Sequence, residues 1–66
     1  MKNNIKELRK KKNIAQHEMA SMIGVSRQTI NAIENEKYDP SLKLAIKIAL
    51  LLDTPIETLF DLNDLD

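Results

Sequence analysis

An all-α domain of five short helices is the fold this sequence predicts, and three observations predict it. The 66-residue chain holds one glycine and two prolines, so helix-breaking residues are scarce. Apolar residues recur at spacings of three and four, and no stretch alternates apolar with polar. Sharp start and stop signals divide this periodicity into five segments. At this length a single small domain is expected, near the size below which one core needs staples. There is no cysteine, hence no disulfide framework and no thiolate metal site, which fits a reducing, cytoplasmic setting. The longest apolar run, Leu42 to Leu52, is interrupted by Lys43 and Lys47 and is too short to span a membrane. No secretory signal is evident.

The first helix is expected from Asn4 to about Lys12, with Ile5 and Leu8 as a short apolar stripe that Ile14 continues from the loop. Asn13 stands where the helix ends and tolerates a left-handed conformation. The second spans Gln16 to Ile23, with Met19, Ala20, Met22 and Ile23 turned inward and Gly24 closing it. The third follows at once. Ser26 is its N-cap, accepting from the backbone near Thr29, and Val25 and Ile30 are spaced as a hydrophobic staple. The loop Glu36-Lys37-Tyr38-Asp39-Pro40 ends it, because the residue before a proline resists helical angles. The fourth helix starts at Pro40 or Ser41. Leu42, Ala45, Ile46, Ala49 and Leu52 form one stripe and Leu44, Ile48 and Leu51 a second, so this helix is the central strut. The fifth starts at Thr54-Pro55-Ile56-Glu57, with Thr54 as N-cap, Pro55 as first helical residue and Glu57 completing a capping box. Ile56, Leu59 and Phe60 are its inward residues. Residues 1–60 thus form the domain, and 61–66 an acidic tail without periodicity that can join a dimer contact.

Placed at about 100° per residue, the third helix turns Ile30 and Ile33 toward a core. Gln28, Asn31, Ala32 and Asn35 fall on the opposite face, with Arg27 at its edge, and that face carries no carboxylate. Carboxamides match the adenine edge bidentately, arginine matches guanine, and a small apolar alanine can touch a thymine methyl. A solvated polar face is the alternative for these residues taken alone.

Ten basic and ten acidic side chains cancel, but their order is polarised. Residues 1–12 hold six bases against Glu7; residues 53–66 hold five acids and no base. A basic pole suits phosphate, while an acidic pole keeps the far side soluble.

With the second and third helices joined by Gly24-Val25-Ser26, the order is helix-turn-helix. The sequence resembles the Xre/Cro group of bacterial and phage helix-turn-helix regulators. The matching segments are Ile5-Lys6-Glu7-Leu8-Arg9, Gln16-x-Glu18-Met19-Ala20, Gly24-Val25-Ser26-Arg27-Gln28-Thr29-Ile30, Ile33-Glu34-Asn35, Tyr38-x-Pro40-Ser41-Leu42 and Ile56-Glu57-x-Leu59-Phe60. They run from about residue 3 to residue 60. The resemblance implies the compact five-helix bundle of phage-repressor DNA-binding domains. It places Arg27, Gln28, Asn31 and Ala32 at base edges in the major groove of double-stranded DNA. It places Gln16, Ser26, Thr29, Asn35, Lys37 and Tyr38 at the phosphates, and pairs Arg9 with Glu34 as a partly buried salt bridge. A bacterial or phage-encoded regulator is implied.

Several residues depart from that pattern. Ala15 replaces the usual hydroxyl cap of the second helix, His17 an acid, and Glu36 a glycine or asparagine, where the backbone is expected to be strained or rearranged. Asp53 replaces a frequent glycine. Leu50 lies on the otherwise polar Lys43/Lys47 face. One recognition helix reads too few base pairs to find an operator in a genome. A two-fold homodimer is therefore expected, with Leu50, Ile56, Leu59, Leu62 and Leu65 as its apolar contact. One histidine, no cysteine and no nucleophile, phosphate-loop or HExxH segment argue against an enzyme. No cofactor, metal or small-molecule ligand is implied. A protein-interaction module of antitoxin or adaptor type is the second hypothesis, and RNA binding the third, with Tyr38 as the sole stacking candidate.

Overall fold

Four of the five helices end on a residue in the left-handed conformation, and these turns set how the helices stack. The computed structural model describes residues 1–61 and 63. In order the elements are α1 (Ile5–Lys11), α2 (Gln16–Ile23), α3 (Arg27–Glu34), α4 (Leu42–Leu51) and α5 (Ile56–Leu59). The left-handed residues are Asn13 after α1 (φ 57°), Gly24 after α2 (φ 79°), Glu36 after α3 (φ 63°) and Asp53 after α4 (φ 51°). Three of these turns close by the same pair of bonds. After α1, Ile14 N–H donates to the Arg9 carbonyl and Asn13 N–H to Lys10; after α3, Lys37 donates to Ala32 and Glu36 to Ile33; after α4, Thr54 donates to Ala49 and Asp53 to Leu50. The turn at Glu36 is therefore kept without glycine, not rearranged, and a charged residue bears the left-handed strain.

Ile5, Met19, Ile30, Ile33, Ile48, Leu52 and Leu59 form the fully buried centre, with Leu8, Ile14, Val25, Leu51 and Ile56 packed against it. α2 lies on α3, and α4 packs on α2 and α5. α4 is the central strut, but its buried line of Leu44, Ala45, Ile48, Ala49 and Leu52 runs between the two expected stripes. Leu42 and Ile46 are exposed instead, because they lie to one side of that buried line. Met22 is likewise outside the core at 61% exposure: α2 meets its neighbours along Met19, Ala20 and Ile23, and Met22 lies beyond that line.

The expected capping box of α5 does not form. Thr54 Oγ1 donates to the Leu52 carbonyl at 2.9 Å, which ties it to the preceding turn, and Pro55 flanks a helix of only four residues. The cap of α4 does form, with Ser41 Oγ accepting from Leu44 N–H at 3.2 Å. A closure of the chain's two ends was not legible in the sequence. Asn4 N–H donates to the Leu59 carbonyl and Asp61 N–H to Lys2, both at 2.9 Å. The side chains of Asn3 and Asn4 donate to the carbonyls of Ile33 and Thr58. Residues 2–4 are thus bonded to residues 58–61.

Candidate nucleic-acid interface

The α3 start is built as its sequence requires. Ser26 Oγ accepts from Thr29 N–H at 3.1 Å and lies 2.9 Å from the Thr29 hydroxyl. Half-buried Val25 packs on the core beside buried Ile30. With Ile30 and Ile33 inward, Arg27, Gln28, Asn31 and Asn35 are exposed, and Ala32 is half-buried. Gln16, Arg27, Gln28 and Asn31 line one open polar cleft of about 480 Å³. A neighbouring cleft adds Lys6 and His17, both exposed.

Behind this face lies the pair of Arg9 and Glu34. Arg9 Nε donates to Glu34 Oε2 at 2.7 Å and Nη2 to Oε1 at 3.2 Å, and the side chains are only 8% and 1% exposed. Arg9 Nη1 also donates to the Ile14 carbonyl at 2.7 Å, bracing the α1–α2 turn. The expected partly buried bridge is thus bidentate and essentially enclosed. Gln16 extends it outward: its Nε2 donates to Glu34 Oε1 at 2.9 Å and to Asn31 Oδ1 at 3.3 Å. Asn35 Nδ2 reaches the same Asn31 oxygen at 3.2 Å. Gln16, expected at a phosphate, and Asn35, expected on the outward α3 face and at a phosphate, are therefore also tied to Asn31. The residue types carried no signal for that link.

At the α2 start, Ala15 has no side-chain acceptor, and Glu18 Oε1 instead takes the Ala15 N–H at 2.9 Å. Among the described residues no side chain caps the first backbone N–H groups of α2, which have no partner within the helix. On the other flank Thr29, Tyr38, Ser41, Lys43 and Lys47 border a further cleft. The sequence marks the two lysines as interruptions of an apolar run and as a polar face of the fourth helix, without placing them beside α3. Lys37 and Tyr38 are exposed in the α3–α4 loop. Leu59 is fully buried and belongs to the core, not to an outer contact, because α5 turns it under α4. Leu62 and Leu65 lie outside the described residues. Leu50, by contrast, is 76% exposed and lines an apolar groove with Ile46, Ala49, Pro55 and Ile56.

Two helices joined by a left-handed turn, the second with a carboxylate-free polar face, define a helix-turn-helix DNA-binding unit. A helix-turn-helix family model matches residues 5–59. An uncharacterised HTH-type transcriptional regulator of Methanocaldococcus jannaschii is 53% identical over 64 residues, covering 97% of both chains. The uncharacterised HTH-type regulator YgzD of Bacillus subtilis is 42% identical, also covering 97% of both. Among solved structures, the restriction-modification controller protein C.AhdI of Aeromonas hydrophila is 30% identical with a TM-score of 0.77, over 85% of each chain. A chain of the SinR/SinI complex is 31% identical with a TM-score of 0.79, over 91% of this chain and 59% of that one. The chain belongs to the Xre-like helix-turn-helix family of DNA-binding transcriptional regulators, which are not enzymes. No helix among the described residues is long and apolar enough to cross a membrane.

Proposed function

We propose that this protein is a cytoplasmic, sequence-specific repressor that binds a palindromic operator as a homodimer. Residues 1–60 act as the DNA-binding domain, and 61–66 as an acidic tail beside the dimer contact. α3 enters the major groove, where Arg27, Gln28, Asn31 and Ala32 meet base edges. The observation that carries this reading is the cleft of Gln16, Arg27, Gln28 and Asn31, on a face of α3 without a carboxylate. Around it Ser26, Thr29, Asn35, Lys37 and Tyr38 flank the groove at phosphate positions. The open N–H groups at the α2 start, with Gln16, suit a further phosphate. Lys43 and Lys47 extend that basic margin.

Leu50 and Ile56, joined by Ile46, supply the apolar centre of the homodimer contact. The same groove would suit a helix of another protein, which favours a protein-interaction module as the second reading. Titration of fluorescent random-sequence and selected duplexes at several salt concentrations separates the two. Operator binding should weaken steeply with salt, since several phosphate contacts release counterions. Binding that is undetectable or insensitive to salt would favour the protein-interaction module.

A further inference from the structure

We propose that Asn31 meets the operator as a hydrogen-bond donor and selects guanine, because the buried Arg9–Glu34 pair determines, through Gln16, which end of its carboxamide faces the groove. The inference rests on the reading of α3 as the base-reading helix and adds to it the chemistry of one position.

The direction of the network is imposed from its inner end. A guanidinium only donates and a carboxylate only accepts. Glu34 Oε1, 2.9 Å from the Gln16 amide, must therefore face the nitrogen of that amide and not its oxygen. The second hydrogen on Gln16 Nε2 then points at Asn31, which must answer with Oδ1, at 3.3 Å. Asn35 Nδ2 donates to the same oxygen at 3.2 Å. Both lone pairs of Asn31 Oδ1 are thereby occupied. Turning the Asn31 amide over would set its NH₂ against the Gln16 donor, and turning Gln16 over would set its oxygen against a carboxylate. One orientation satisfies every group, and in it Asn31 presents Nδ2, with two hydrogens and no partner among the described residues, to the cleft.

The bidentate match of a carboxamide to adenine needs both of its ends, Oδ1 for N6–H and Nδ2 for N7. Here Oδ1 is already taken. An outward NH₂ alone fits two adjacent acceptors, and the guanine major-groove edge, O6 and N7, provides them. Thymine offers one acceptor, and cytosine turns its own N4 donor toward Nδ2. Gln16 and Asn35 are positioning residues in this scheme, and Arg9 and Glu34 hold Gln16 in place from behind.

Binding-site selection from random duplexes with the full chain, followed by titration of single-base variants, tests this. The position that loses its preference in Asn31→Ala should favour guanine over adenine by about tenfold in the wild type. Asn31→Asp keeps an inward oxygen for Gln16 and Asn35 but turns an acceptor outward, so that position should switch to cytosine. Gln16→Leu returns a lone pair to Asn31 Oδ1. Whatever uniform loss of affinity it causes, the guanine-to-adenine ratio should fall severalfold at that position alone. A wild-type preference for adenine there, a ratio unmoved by Gln16→Leu, or no position responding to Asn31→Ala overturns the inference. If Arg27 or Gln28 variants still shift other positions, the base-reading role of α3 survives that outcome. A wild-type protein with no sequence preference refutes both.

Discussion

Arg9 and Glu34 are where single side chains decide most. Each is removed from water, and each is held by the other and by a neighbour, Ile14 or Gln16. No buried side-chain polar atom among the described residues lacks a partner. Removing one member strands a buried charge, so Glu34→Ala should destabilise by roughly 3–5 kcal/mol. The Arg9→Ala/Glu34→Ala double mutant should lose much less than the sum of the single losses. Thermal melts of the four proteins check both, and additive losses would mean that the pair is not coupled. The sequence made this pair visible through the family resemblance. Its extension from Gln16 to Asn31 was not visible, because a bond across 15 residues leaves no periodic trace, whereas Asn31 and Asn35 stand four apart on the face that the helical spacing marks. The role of Asn3 and Asn4 in closing the chain ends escaped for the same reason.

Helix boundaries were legible to within about a residue because caps and left-handed stops are local chemistry. Ser26, Asn13 and Gly24 each act where their residue type predicts. Apart from the α5 cap, where Thr54 turns back to Leu52, the failures concern which face is covered, which depends on neighbours and not on spacing. Met22 and Leu42 match a helical stripe yet face solvent, while Ile48 on the same α4 is fully buried. Ile48→Ala should therefore cost about 2–5 kcal/mol, and Met22→Ala should stay within about 0.5 kcal/mol of wild type. Equal losses in chemical denaturation would contradict this division of faces. At the α3 stop, Glu36 holds φ 63° without glycine. Glycine relieves roughly 1–2 kcal/mol of left-handed strain and gives back about half in chain entropy. Glu36→Gly should then stabilise by about 0.5–1 kcal/mol, and a lowered melting temperature would count against the strain.

For the whole molecule, the polar cleft of Gln16, Arg27, Gln28 and Asn31 and the apolar groove of Ile46, Leu50 and Ile56 are separate surfaces lined by different residues. One can face DNA while the other faces a second copy. Leu50→Glu should shift the sedimentation of the protein toward monomer and weaken operator binding at least tenfold. A wild-type monomer at operator-saturating concentration would remove the basis for the dimer. On the proposed function, the outward face of α3 reads bases. Its most direct test is to select binding sites from random duplexes with the wild type and with Gln28→Ala. A two-fold symmetric motif with half-site centres one helical turn apart is expected, and a variant that loses preference at one symmetric pair of positions only. An identical motif from both proteins, or none from either, would contradict it.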